Sequence, residues 1–192
     1  MKKASFPTLL LALGITLLSG CATIISAVHE EPIQEDSGKR TFGNYVEDEM
    51  IETKVLVNLS KGSTALSQSH IGVTSYNGQV LLTGQVPTEE VKAEAERIAA
   101  ATREVRKIQN ELEIAGPTST IVRSNDVYLT SRVKLQLLAD KNVPGSRIKV
   151  VTENGVVYLM GLVTREEANA AVNIVRTVVG VRKIVKVFEY ID

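Results

Sequence analysis

The chain has 192 residues, 44% hydrophobic and 23% charged, with 22 Lys+Arg balancing 22 Asp+Glu. That is enough for one or two packed domains, with no strongly acidic or basic character. Aromatic residues are only 4% and Trp is absent, so a large aromatic-lined pocket is hard to build, and a single Cys with two His excludes an intrachain disulfide and argues against a Cys/His zinc site.

In chain order, Met1-Lys2-Lys3 is a short positive segment, and Leu9 to Leu18 is an apolar run interrupted only by Gly14 and Thr16. The run falls short of the roughly 20 residues needed to span a bilayer and reads as a secretory signal, residues 1–20. Leu18-Ser19-Gly20-Cys21 follows at once and resembles the bacterial lipobox. There the signal is cut before the Cys, whose thiol is diacylated and whose new amine is acylated. Cys21 is the expected lipidation site, carrying acyl chains such as palmitate. Each buried methylene contributes about 0.8 kcal/mol, and stable anchoring needs two signals, so three chains hold the protein to the membrane. Ala22 stands where an Asp would resemble an inner-membrane retention signal. The expected address is therefore the outer membrane, facing the periplasm.

Residues 22 to 44 contain Pro32, Ser37, Gly38 and Gly43 with few large apolar groups and no helix or strand period. They read, with Cys21, as a flexible tether over 21–44. A second linker is expected over 116–123, in Gly116-Pro117-Thr118-Ser119-Thr120-Ile121-Val122-Arg123.

Two units, 45–115 and 124–192, are internal repeats. Asn77-Gly78-Gln79-Val80-Leu81-Leu82-Thr83-Gly84 aligns with Asn154-Gly155-Val156-Val157-Tyr158-Leu159-Met160-Gly161, and Glu89-Glu90 with Glu166-Glu167. Asp48, Ile51, Val55 and Leu59 align with Asp126, Leu129, Val133 and Leu137, and Val105-Arg106-Lys107-Ile108 with Val181-Arg182-Lys183-Ile184. Each unit reads α-β-β-α-β. The apolar residues four apart form one helix face. Asn-Gly between two alternating runs predicts a hairpin, because both turn residues need positive φ. Paired Glu residues suit the positive start of the second helix. The final strands are expected at Val105 to Ile114 and Val181 to Ile191, and Gly84 and Gly161 mark close backbone approach within the second strand.

This pattern resembles the BON domain (bacterial OsmY and nodulation), and a lipobox followed by two copies resembles dual-BON outer-membrane lipoproteins. The resemblance covers both units. It implies an α+β fold of two tandem BON domains, each with a three-stranded mixed sheet packed on two helices. It further implies binding of anionic phospholipid such as phosphatidylglycerol, support of envelope integrity and recruitment to division sites.

The residues bear on that implication independently. Residues 45–116 hold 7 basic and 11 acidic residues, net −4, whereas 124–192 hold 10 and 7, net +3. An anionic surface attracts the second unit, at about 1 kcal/mol per nearby Lys or Arg; two domains docked on each other would show the same split. On a helical wheel Leu129, Val133 and Leu137 share one face, while Leu138, Leu135, Tyr128, Ala139 and Arg132 lie about 180–300° from Leu129. Tyr128, Leu135 and Leu138 beside Arg132, with Lys134 on the flank, suit insertion at a headgroup boundary. Met50 and Val57 hold matching places in the first unit, so a domain–domain interface is the competing use.

Enzymatic readings find little support. His29 falls in the tether, and His70 is expected in a solvated loop. There is no nucleophile elbow and no Gly-rich phosphate loop. No catalytic site, metal or cofactor is expected, and no nucleic acid is expected to bind a net-negative exported chain. Two uses remain: a membrane-binding module, and an adaptor whose same helix docks an envelope-assembly or peptidoglycan-remodelling protein.

Overall fold

The computed structural model describes residues 37–192, and Ser37–Asp192 form one compact unit. Cys21, the signal segment and most of the expected tether lie outside the described residues. The end of that tether is structured: α1 spans Phe42–Ser60, and Thr41 caps it by accepting a hydrogen bond from the Asn44 amide. Just before it, Arg40 pairs with Asp48 at 2.6 Å and stacks on Tyr76, 3.9 Å from the ring centroid.

The first repeat continues with a short helix α2 (Thr64–Ser67), β1 (His70–Tyr76), β2 (Gln79–Val86), α3 (Glu89–Ala100), β3 (Lys107–Asn110) and β4 (Glu113–Ile114). β1 pairs antiparallel with β2 across the Asn77-Gly78 turn, and both turn residues have positive φ as the dipeptide predicts. β3 and β4 both run parallel to β2. The single strand expected over Val105 to Ile114 is thus broken at Glu111–Leu112, where Leu112 turns into the core. His70 opens β1 opposite Gln85 and is not a loop residue.

The second repeat comprises α4 (Thr120–Ala139), a 3-10 turn (Gly145–Arg147), β5 (Lys149–Glu153), β6 (Val156–Val163), α5 (Arg165–Arg176) and β7 (Lys183–Tyr190). Its sheet is three-stranded and mixed, β5 antiparallel and β7 parallel to β6. Ser119 caps α4, so the last residues of the expected linker are helical. Thr164 and Glu167 close a capping box on α5.

Alternation along the central strands sorts side chains into three cores. Val80, Leu82 and Val86 pack under α1 and α3; Val157, Leu159 and Val163 pack under α4 and α5. The opposite faces meet each other: Tyr76 and Leu81 cluster with Val156, Tyr158, Met160, Leu162 and Val187. This is why every residue of β2 and β6 is buried. Polar contacts rim the joint. Tyr76 Oη donates to the Arg147 carbonyl at 2.7 Å, Lys149 Nζ meets Glu52 Oε1 at 2.8 Å, and Gln85 Nε2 donates to Glu153 Oε1 at 2.7 Å.

Both strand glycines lie where a side chain does not fit. A Cβ on Gly161 would stand 2.9 Å from the Arg147 carbonyl oxygen; on Gly84 it would stand 2.0 Å from that of His70. Gly84 also has φ +117°, which side-chain-bearing residues rarely adopt.

Candidate functional site

α4 lies over the second sheet with Leu129, Val133 and Leu137 fully buried, as the wheel predicts. On its outer side Tyr128 is 57%, Leu135 67% and Leu138 52% exposed. Ile121 and Val127, 80% and 68% exposed, extend the strip beyond the residues named from the sequence. At 1.5 Å per residue the apolar face runs about 25 Å along the helix. Arg132 borders it, its guanidinium carbon 5.6 Å from the Tyr128 ring centroid and its Nη1 3.5 Å from the Tyr128 hydroxyl. Tyr128, Arg132, Leu135 and Leu138 are therefore brought to one surface.

Lys134 is not part of it. Its ammonium donates to the Ile148 carbonyl at 2.6 Å and the Gly145 carbonyl at 3.1 Å, tying α4 to the 3-10 turn. Burial lowers its pKa, as expected for a cation removed from water. The flanking charge expected from Lys134 is spent inside the domain.

A paired device, not expected from the sequence, stands behind each hairpin. Asp48 accepts hydrogen bonds from the Asn77 and Gly78 amides at 2.8 and 2.9 Å, from the Ser75 hydroxyl at 2.7 Å and from Arg40. Asp126 accepts from the Asn154 and Gly155 amides, both at 2.8 Å. Burial alone would raise the Asp48 pKa, but these donors outweigh it and hold the carboxyl below its ordinary value. The recurrence of both the Asp and the Asn-Gly in each unit was the available signal.

Both repeats match the family model of the BON domain, over residues 47–116 and 125–192. The chain belongs to the BON-domain family. It is 36% identical over 185 residues, 96% of each chain, to the outer membrane lipoprotein DolP of Haemophilus influenzae. Identity is 37% over 164 residues, 85% of this chain and 82% of the relative, to the 21 kDa hemolysin of Actinobacillus pleuropneumoniae. It is 30% over 152 residues, 78% and 75% of the two chains, to the osmotically-inducible protein Y of Escherichia coli. Together with the lipobox at Cys21, the near full-length match makes this BON protein an outer-membrane lipoprotein.

The first BON domain does not cover the α4 strip, because the two domains meet through their sheets. On α1 the matching Met50 and Val57 are likewise open, 49% and 44% exposed. Among the described residues no helix is long and apolar enough to cross a membrane, and no acidic or His/Cys cluster has the makings of a metal site.

Proposed function

We propose that this lipoprotein faces the periplasm and binds anionic phospholipid through the outer face of α4 in the second BON domain, supporting outer-membrane integrity at sites such as the division septum. The observation that carries this is the strip itself. Ile121, Val127, Tyr128, Leu135 and Leu138 stay open to solvent after the domain joint has formed. A row of large apolar groups bordered by Arg132 suits the boundary between headgroups and acyl chains, where the aromatic ring and aliphatic groups insert and the guanidinium meets phosphate. The reading requires no chemical step. Its membrane setting agrees with the names of two relatives, an outer membrane lipoprotein and a hemolysin.

The test uses the full-length lipoprotein in maltoside micelles, titrated with phosphatidylglycerol while backbone amide shifts are followed. The shifts are expected along α4 and to disappear in Tyr128→Glu/Leu138→Glu, whose far-ultraviolet circular dichroism should match the parent because neither side chain enters the core. Arg132→Glu alone should weaken the shifts most at low salt, since a surface charge is screened over about 10 Å at 0.1 M. Undiminished shifts in the double variant would assign the helix to a protein partner instead.

A further inference from the structure

The net positive charge of the second BON domain gathers away from the α4 strip. Asn169, Asn173 and Arg176 on α5 face Arg182, Lys183 and Lys186 at β7 across an open groove of about 580 Å³. No carboxylate lines it. None of the ion pairs among the described residues uses Arg176, Lys183 or Lys186. Arg182 is held at the rim, its Nη1 donating to the carbonyl and side-chain oxygens of Asn154 at 3.1 and 3.2 Å.

The first BON domain closes the same place with its own side chains. The counterparts of Val172, Arg176 and Lys186 there are Glu96, Ala100 and Asn110, since the two helices start from matching caps at Thr164 and Thr88 and Lys183 matches Lys107. Asn110 Nδ2 donates to Glu96 Oε2 at 3.0 Å and to the Lys92 carbonyl at 3.2 Å, bridging helix to strand. In the second domain the acid has become a valine, the bridging amide a cation, and an alanine a further cation. Unpaired like charges facing each other cost stability, so their convergence favours an anion between them.

The geometry points to a binding groove between α5 and β7 for a compact phosphate-bearing ligand. Donors converge on it from two elements, and the forked guanidinium of Arg176 matches phosphate oxygens. An extended acidic peptide would instead run along the free edge of β7 and leave the helix donors Asn169 and Asn173 unused. This groove is separate from the α4 face, and the inference does not rest on the lipid reading of that helix.

The test uses the full-length lipoprotein in maltoside micelles carrying Tyr128→Glu/Leu138→Glu, so that α4 contributes nothing. Inorganic pyrophosphate and phosphatidylglycerol are titrated separately, with amide shifts read at Arg176, Lys183 and Lys186. Saturable shifts with pyrophosphate assign a soluble phosphate ligand, and shifts with phosphatidylglycerol alone assign a lipid headgroup; either supports the groove. Arg176→Ala/Lys186→Asn gives the groove the first domain's Ala100 and Asn110 at the matching places and should weaken binding at least tenfold. The inference is overturned if neither probe shifts these amides, or if both bind that variant as tightly as the parent. It is also overturned if an acidic peptide shifts the β7 amides while pyrophosphate and phosphatidylglycerol do not.

Discussion

The two BON domains share a plan but differ on the sheet face they turn toward each other. The inner face of β2 offers Gln79, Leu81, Thr83 and Gln85, and that of β6 offers Val156, Tyr158, Met160 and Leu162. Beneath the helices the two are nearly interchangeable, aliphatic residue for aliphatic residue. Duplicated modules therefore keep the helix–sheet core, which each needs in order to fold, and diverge at the joint and on the outside. The joint accepts polar residues because each finds a partner: Gln85 donates to Glu153 and accepts from the Thr118 amide at 3.2 Å. Among the described residues no buried side-chain polar atom is left without a partner.

The sharpest way to break this likeness is at the hairpin aspartates. Asp48→Ala strands Arg40, a hydroxyl and two amides, and should cost roughly 3–5 kcal/mol in urea unfolding. Asp126→Ala strands two amides and should cost roughly 1–3 kcal/mol. Equal losses would show that the extra Asp48 partners add nothing. Because the folded pKa of Asp48 lies below its unfolded value, its contribution is present above about pH 4 and fades as pH falls through the folded value. Asp48→Asn should accordingly flatten the acid limb of the stability curve.

Next come the strand glycines. Gly161→Val should cost roughly 1–3 kcal/mol by overpacking against the Arg147 carbonyl. Gly84→Val meets a closer carbonyl and adds a positive φ, a further 1–2 kcal/mol or so, and should lower the thermal midpoint more. The smallest effect belongs to the rim. Arg106→Ala, which removes the exposed ion pair to Glu189 across the joint, should change stability by less than about 1 kcal/mol.

Much of this was legible in the residues. Asn-Gly pairs and apolar residues four apart fix turns and helix faces locally, so hairpins and cores followed from spacing alone. The exposed positions of Tyr128, Leu135 and Leu138 came from the same arithmetic. What spacing could not convey was tertiary. Thr83 and Gln85 look solvent-facing in an alternating strand and are covered only because a second sheet arrives. A wheel places Lys134 by its backbone, yet its long side chain folds back to the Gly145 and Ile148 carbonyls. Charge counting found the surplus of the second unit without showing that Arg176 and Lys186 face one groove.

The sheet-to-sheet joint makes the chain a heterodimer tied by its own backbone. A short linker keeps the partner face at high effective concentration, so the second domain's apolar face is covered before a neighbouring molecule can reach it. Self-pairing of two first domains would bring Thr83 and Gln85 against their own copies, without the Glu153 carboxylate that Gln85 requires. Where anchored neighbours meet on a membrane, that mismatch disfavours pairing between the first domains of two molecules.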